Sequence, residues 1–301
     1  MKKTRKMILG SDWWTDCDDA VAMRLLARAH LAGEIELLGV CLNACMEQSL
    51  VSCDAYLASN GISPPIALDL AATGVGRHTF QPILMPYATG RFRSNADAEE
   101  PISFYRRLLA ESEERVEILE IGFMQVLGGL LDSPPDGISP LDGLSLVREK
   151  VEHLWVMGGR WDCPVGREHN FNHNPFTRIG AAKLCDRWPG EITFLGFEVG
   201  DSVLTGGALA EGDLLHDVLV AHGSGAGRRS WDPMLVWLAL IGDPEKAGYA
   251  VRRGIASADP ETGDNTFRED PDGRHRYVIK TREDAFYSDA INRAIASKQT
   301  L

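Results

Sequence analysis

The sequence lacks any long apolar segment. Its longest useful apolar run, residues 234–241, is far shorter than the roughly 20 residues that a membrane-spanning helix needs. Residues 1–6 are basic like the start of a signal peptide, but only residues 7–9 are apolar before Gly10, which is too short for the apolar core of such a peptide. We therefore expect a cytoplasmic protein without membrane association.

Paired cysteines and an excess of positive charge are also missing. None of the six cysteines forms a C-x-x-C motif, and a chain of 301 residues buries enough surface to fold without cross-links, so we expect reduced thiols. The 31 basic and 43 acidic residues give a net charge of −12. This balance repels phosphate polymers and anionic lipid heads, and it disfavours a nucleic-acid-binding function.

Short apolar runs alternate with segments of helical period, which is typical of a mainly parallel sheet flanked by helices. Strands are predicted at residues 7–9, 36–42, 64–68, 116–121, 151–157 and 192–197. Helices are predicted at residues 18–29, 47–60, 231–241 and 284–298, and a terminal hairpin is predicted around the turn at 270–274. We expect one α/β domain over residues 1–301, with an open, Rossmann-like sheet.

Residues 73–100 show no clear period and are rich in glycine, proline and polar residues. An irregular segment of this length inside a compact domain is more often functional than not. We therefore interpret it as an active-site loop.

Four acidic residues follow the first predicted strand within one loop: Asp12, Asp16, Asp18 and Asp19. Ligands of open α/β sheets bind beyond the carboxyl ends of the strands, which is where this loop lies. Carboxylates without cysteine or histidine at ligand spacing favour a hard cation, and Ca²⁺ fits them better than zinc. The simpler alternative is that these aspartates only cap a helix and hydrate a loop.

The acidic loop resembles the amino-terminal motif D-x-D-x-G-x-D-D-A of the inosine-uridine preferring nucleoside hydrolase family, in a longer variant that contains T-D-C-D-D-A, here residues 15–20. Further segments resemble the family in the same order along the chain: residues 39–43, 122–131, 157–159, 168–175 and 230–233. The resemblance implies the nucleoside hydrolase fold. It also implies Ca²⁺-dependent hydrolysis of the N-glycosidic bond of ribonucleosides in nucleobase salvage, by a homodimer or homotetramer.

The resemblance also implies roles for particular residues. Asp12, Asp19 and Asp232 would be metal ligands, Gln125 would contribute its main-chain carbonyl, and Asp18 would be the base that accepts a proton from water. The residues that would bind the ribonucleoside are Asn43, Glu168, Asn170 and Trp231. For each asparagine, a structural role as a turn or cap residue is an equal alternative.

The sequence departs from the family pattern at several places: the loop at residues 13–17 is longer than in the shortest family form, and residues 124–126 stand where the family usually has Leu-Thr-Asn. Gly10 stands where the motif usually begins with aspartate, and Trp231 stands where some members have a histidine that protonates the departing base. His169 and His173 could replace that donor. Trp13, Trp14, Trp161 and Trp231 could each stack on a nucleobase or fill the core.

Two other functions remain open at the level of the sequence. The first is a binding protein that retains the sugar site but has lost efficient hydrolysis. The second is a metal-dependent phosphohydrolase of the haloacid dehalogenase type, since Asp16 and Asp18 form a D-x-D pair. That chemistry needs the pair directly at the strand end, and Asp16 lies too far beyond Leu9.

Overall fold

The computed structural model describes residues 4–72 and 78–296. The strands are β1 (Arg5–Ser11), β2 (Ile35–Leu42), β3 (Ile66–Leu68), β4 (Val116–Glu120), β5 (Val151–Met157), β6 (Ile192–Leu195), β7 (Leu204–Thr205), β8 (Arg228–Arg229), β9 (Tyr249–Ala258), β10 (Asn265–Glu269) and β11 (His275–Lys280). The helices are α1 (Asp18–Leu31), α2 (Ser49–Ser59), α3 (Gln81–Leu84), α4 (Pro101–Glu111), α5 (Gln125–Asp132), α6 (Gly143–Lys150), α7 (His169–Asn172), α8 (Pro175–Arg187), α9 (Phe197–Gly200), α10 (Leu214–His222), α11 (Trp231–Ile241) and α12 (Asp284–Ala296).

Nine of the strands form one sheet in the order β10-β9-β11-β6-β5-β4-β1-β2-β3. Every neighbouring pair from β11 to β3 is parallel, whereas β9 runs antiparallel to both β10 and β11. The chain moves outward from β1 in both directions, so the strand order reverses between β1 and β4. The predicted α/β fold with an open, mainly parallel sheet is confirmed.

Both faces of the sheet are covered, and the alternation of side chains along the strands separates two cores. On β1, Met7 and Leu9 belong to one core and Ile8 to the other. The first core contains the buried small and apolar residues of α1, α2, α11 and α12. The second contains residues of α4, α5, α6 and α8. Strands buried on both faces explain the short continuous apolar runs in the sequence.

The helix that follows β1 begins at Asp18, and its first turn carries two carboxylates. Negative charge is favourable at this end of a helix because the free N–H groups carry partial positive charge. Asp18 and Asp19 are nevertheless buried, which is rare for acidic residues without a partner. The local sequence thus starts the helix and at the same time places two acids inside the protein.

The predicted terminal hairpin is corrected by the structure. The strands on either side of the turn at 270–274 do not pair with each other, because both β10 and β11 pair with β9. The antiparallel hairpin is instead β9–β10, closed where Asp259 N donates to Asp264 O at 2.8 Å. The predicted end of the last helix at 297–298 lies outside the described residues.

The predicted active-site loop at 73–100 also differs from expectation. Its described part, residues 78–100, contains α3 and two short 3₁₀ turns, and none of these residues lines the cavity at the carboxyl ends of the central strands that is described below. It supports the acidic loop from behind: Gln81 Nε2 donates to Trp14 O at 2.5 Å, and Thr79 Oγ1 donates to Thr15 O at 3.2 Å. The segment 73–77 lies outside the described residues.

The six cysteines are free thiols. Within residues 4–72 and 78–296, no helix is both long and apolar enough to cross a membrane.

The crossing of α5 and α8 gives a test of the packing. A Cβ at Gly128 would lie 2.8 Å from Gly180 Cα, whereas a Cβ at Gly129 would meet only the flexible end of Ile102, at 2.9 Å from Cδ1. Gly→Ala within a helix ordinarily stabilises by about 0.5–1 kcal/mol. We expect Gly128→Ala to destabilise by about 1–3 kcal/mol through overpacking, and Gly129→Ala to be close to neutral. Urea unfolding of both variants measures the difference, and equal effects would contradict the close crossing.

Candidate active site

A cavity of about 220 Å³ lies at the carboxyl ends of the central strands, where the strand order reverses. Ligands of open α/β sheets bind at such a point because loops diverge there and leave a crevice. The cavity is lined by residues that follow β1, β4, β5 and β6 and by residues near the start of α11: Asp12, Trp14, Thr15, Asp16, Asp18, Asp19, Ile121, Met157, Glu168, His169, Asn170, Phe197, Arg228, Trp231 and Asp232.

Buried carboxylates form the floor of this cavity. One oxygen each of Asp18, Asp19 and Asp232 lies within 4.8 Å of the others, and all three residues are buried. Asp12, at the exit of β1, is also buried and lines the same cavity. The structure thus brings the distant Asp232 to the acidic loop, as predicted. The closest set differs from the predicted metal ligands because it contains Asp18 in place of Asp12.

Hydrogen bonds from neighbouring residues fix two of these acids. Asp19 Oδ1 accepts from Ser11 Oγ at 2.5 Å and from Trp13 N at 3.3 Å, and Asp18 Oδ2 accepts from Asp232 N at 3.1 Å. The backbone of Trp13 has a φ of 43°, which is unusual for a bulky residue. Its indole N–H donates to Ser52 Oγ at 2.9 Å in the core, so packing holds this strained turn in place.

Burial and mutual repulsion disfavour the ionised form of these acids. Burial raises the pKa of Asp19 to about 6, and it raises the pKa values of Asp12, Asp18 and Asp232 well above the ordinary range. The carboxylates raise one another's pKa further. In the part of the chain that the structure describes, no lysine or arginine forms an ion pair with any of the four.

Asp16 differs from its neighbours because it has a cationic partner. Arg228, on β8, donates from Nε to Asp16 Oδ1 at 2.6 Å and from Nη2 to Asp16 Oδ2. A bidentate pair of this kind neutralises the carboxylate and fixes its orientation. The pair therefore leaves the other four acids as the groups that are free to bind a cation or a proton.

The donor set fits a hard divalent cation. It consists of carboxylate oxygens only, and binding would offset the repulsion between acids that form no ion pair with a lysine or arginine among the described residues. Asp18, Asp19 and Asp232 are close enough to contact one ion. The group is therefore a buried acidic cluster able to hold a metal.

Three of the four predicted substrate-binding residues line the cavity: Glu168, Asn170 and Trp231. Glu168 precedes α7, and its carboxylate accepts from the main-chain N–H of Gly159 at 3.0 Å and of Asn170 at 2.7 Å, while burial raises its pKa to about 7. Asn170 Nδ2 donates at 3.2 Å to the main-chain oxygens of Ile121 and Met157. These bonds tie the loop before α7 to the ends of β4 and β5.

Asn43 and Gln125 lie outside the set of described residues that line the cavity. Asn43 is fully buried, its Nδ2 donating to Glu120 Oε1 at 2.7 Å and its Oδ1 accepting from Phe123 N at 2.8 Å. Gln125 Nε2 donates to Asn43 O at 2.6 Å. Neither is among the described residues that line the cavity, so the structural alternative for Asn43 is the one its contacts favour. The metal role of the Gln125 carbonyl stays a prediction.

Aromatic side chains cover two sides of the cavity. Trp231 stacks on Phe197, with ring centroids 5.5 Å apart, and its indole N–H donates to Phe197 O at 2.8 Å. Trp14 stacks on His169 with centroids 6.0 Å apart. The remaining candidates, Trp13 and Trp161, are buried in the two cores.

Sequence reasoning missed Arg228 and Phe197. Arg228 belongs to a strand of two residues with no recognisable pattern, and it is 212 residues away from the carboxylate that it pairs with. Phe197 directly follows β6, so its position at a strand end was the only available signal.

The structure was compared with known proteins. No protein-family model and no curated protein sequence matches the chain. An inosine-uridine preferring nucleoside hydrolase from Bacillus anthracis aligns over 97% of this chain and 99% of its own, with 17% identity and a TM-score of 0.66. A plant nucleoside hydrolase aligns over 98% and 100%, with 15% identity and a TM-score of 0.73. The type III effector protein XopQ, solved with adenosine diphosphate ribose, aligns over 100% and 96%, with 13% identity and a TM-score of 0.67.

These likenesses cover nearly the whole chain in each case. They confirm that the protein has the nucleoside hydrolase fold, as the resemblance in the sequence predicted. At identities of 13–17%, these similarities establish the fold only, and the function has to be argued from the residues of the site.

Replacing Asp232 by asparagine should have opposite effects on the metal-free and the Ca²⁺-loaded protein. Without metal, at alkaline pH, Asp232→Asn removes one of the repelling charges and should raise the melting temperature. A bound ion stabilises the wild type by about 2.7 kcal/mol at a Ca²⁺ concentration about 100 times the dissociation constant, and this gain should disappear in the variant. Thermal melts with chelator and with Ca²⁺ measure both effects. A Ca²⁺-dependent rise retained in Asp232→Asn would contradict the assignment.

Proposed function

We propose that the protein is a Ca²⁺-dependent nucleoside hydrolase that cleaves the N-glycosidic bond of ribonucleosides to give base and ribose. The observation that carries this proposal is the group of buried carboxylates, without cationic partners, on the floor of a cavity at the carboxyl ends of the sheet. A nucleoside has the two parts that this cavity suits: hydroxyls for an acidic, cation-binding floor and a flat base for the aromatic walls.

The proposed reaction passes through an oxocarbenium-like ribose. The oxygen of water forms a bond to C1′ while the bond from C1′ to the base nitrogen breaks, and its electron pair stays on that nitrogen. Asp18 accepts a proton from the water and later releases it to solvent, while the nitrogen of the departing base takes up a proton from solvent, so the products are neutral base and ribose. A bound Ca²⁺ ion would supply coordination of the ribose hydroxyls and acidification of the water. The surrounding carboxylates stabilise the positive charge that develops on the sugar ring.

Other residues of this chain would orient the substrate. Glu168 and Asn170 are placed to contact the ribose, and the Trp231–Phe197 pair offers a flat surface to the base. Of the two histidines near the site, only His169 is among the described residues that line the cavity. Burial lowers the pKa of His169, which favours the neutral ring, and the ring would assist the departing base by hydrogen bonding.

The direct test is a panel of ribonucleosides assayed for free ribose with and without a calcium chelator. We expect ribose release from at least one nucleoside, loss of release with the chelator and its recovery with added Ca²⁺. Release that is indifferent to the chelator would contradict the metal requirement. Release of phosphate from nucleotides with Mg²⁺ instead would favour the phosphohydrolase.

The choice of Asp18 as the base has a rival in Asp12, because Asp18 lies within the closest group of oxygens whereas Asp12 does not. We expect Asp18→Asn to lower kcat by about 10²–10⁴ with Ca²⁺ affinity largely retained. Asp12→Asn should weaken Ca²⁺ binding. Steady-state kinetics together with calorimetric Ca²⁺ titration separate the two roles, and the reverse pattern would assign the base to Asp12.

Trp231 provides a test of the aromatic wall. Trp231→Ala should raise KM for a nucleoside more than it lowers the melting temperature, because the indole faces the cavity. Trp237, on the same helix, packs against the core and serves as the matched control. Trp237→Ala should lower the melting temperature and leave KM unchanged. Similar KM values for wild type and Trp231→Ala would make Trp231 a packing residue.

A second candidate is a ribosyl-compound binding protein without efficient hydrolysis. One structural neighbour is an effector protein solved with adenosine diphosphate ribose, and another is the effector protein XOO4466, at 12% identity and a TM-score of 0.65. Calorimetry and a ribose assay on the same sample distinguish the two candidates. Binding of nucleoside or ADP-ribose without sugar release would establish the binding protein.

The proposal extends to a homodimer or homotetramer in the cytoplasm, consisting of one domain over residues 1–301. Sedimentation velocity tests the oligomeric state.

A further inference from the structure

Glu120 is a buried acid that neither the predicted motif nor the proposed reaction uses. It ends β4, is fully buried, and lies opposite Gly10 in the pairing of β4 with β1. Its Oε1 accepts from Asn43 Nδ2 at 2.7 Å and from Gly122 N at 3.0 Å. Its Oε2 is buried without a hydrogen-bond partner among the described residues. A buried carboxylate is costly to retain, so it calls for a role.

The carboxyl group of Glu120 fills the space that a side chain at position 10 would occupy. A Cβ on Gly10 would lie 2.6 Å from Cδ of Glu120, closer than such atoms approach in proteins. Position 10 is where the motif of the resembled family begins with aspartate. A carboxyl group is thus missing from position 10 of β1, and the carboxyl group of Glu120 on β4 lies against the Cα of that residue.

The contacts of Glu120 connect the ends of three central strands. Asn43 follows β2 and, besides bonding to Glu120, accepts from Phe123 N at 2.8 Å and donates from its main-chain N to Ser11 O at 2.9 Å. Gly122 follows β4 and lies directly against the backbone of Asp12, where a Cβ would come 2.8 Å from Ser11 C. Displacing Asn43 or Gly122 would therefore move the turn that carries Asp12 and Ser11, whose hydroxyl binds Asp19.

We propose that Glu120 is a positioning residue of the acidic site: from β4 it supplies the carboxyl group that the motif carries at position 10, and through Asn43 and Gly122 it fixes the strand exits that carry the proposed Ca²⁺ ligands. The inference rests on the proposed Ca²⁺ site. Glu120 acts through its hydrogen bonds and does not touch substrate.

The test exchanges the carboxyl group between the two strands. Removing residues that orient metal ligands typically weakens metal binding by about 10–100-fold. We expect this loss of Ca²⁺ affinity in Glu120→Ala, measured by calorimetry without substrate. Glu120→Gln retains the acceptor for Asn43 and Gly122 and should bind Ca²⁺ nearly as the wild type does.

The double variant Gly10→Asp/Glu120→Ala should recover most of the affinity, because the carboxyl group returns to the same space from β1. Gly10→Ala/Glu120→Ala is the matched control, since it fills part of the space without a carboxyl group, and it should not recover affinity. Comparing the two double variants keeps the test valid if Glu120→Ala alone does not fold. Equal affinity in both would reduce Glu120 to a space-filling role and overturn the proposal.

A second control separates positioning from stability. Glu117, on the same strand, pairs with Arg5 at 2.6 Å and accepts from Trp155 Nε1 at 2.8 Å. Glu117→Gln should lower the melting temperature and leave Ca²⁺ affinity unchanged. If the wild type binds Ca²⁺ and Glu120→Ala binds it equally well, the positioning role of Glu120 is overturned, whereas the proposed Ca²⁺ site is not. Absence of Ca²⁺ binding by the wild type overturns this inference and the proposed Ca²⁺ site together.

Discussion

Repulsion between buried carboxylates is the constraint on which the site depends. Asp12, Asp18, Asp19 and Asp232 are held in one cavity by strand ends and helix starts, and each has its pKa raised by burial and by its neighbours. Folding such a group costs free energy unless protons or a cation neutralise it. Among the described residues that line the cavity, Arg228 is the one arginine; it is bound to Asp16 and offsets only part of the charge of the group, through Asp18. This local cost is what makes a divalent cation the natural ligand.

The fold provides the rigidity that this crowding needs. The acids lie at the reversal of strand order, and the turn after β1 is anchored by Trp13 in one core and by Gly122 against the backbone. The helix that begins at Asp18 fixes two of the acids, and α11 brings Asp232 to them across the sheet. A site built on strand ends and helix starts has little freedom to relieve its repulsion by moving apart.

Local patterns in the sequence predicted the parts of this arrangement that are local. Apolar runs located the main parallel strands because those strands are buried on both faces, and the acidic loop was visible because its residues are neighbours in the chain. The pairing of strands could not be predicted from local patterns. The turn at 270–274 predicted a hairpin of the strands on either side of it, but β9 lies between those two strands, β10 and β11, in the sheet. The Arg228–Asp16 pair and the close contact of Gly10 with Glu120 join residues that only the folded chain brings together.

The central claim is that the buried acids converge on one divalent ion. The most direct measurement is a crystal structure of the protein grown with Mn²⁺ as a probe and recorded at the manganese absorption edge. The account predicts one anomalous peak at the group formed by Asp12, Asp18, Asp19 and Asp232, with Asp19 and Asp232 within coordination distance of it. A well-ordered cavity without such a peak, with the carboxylates hydrogen-bonded to one another through shared protons, would contradict it.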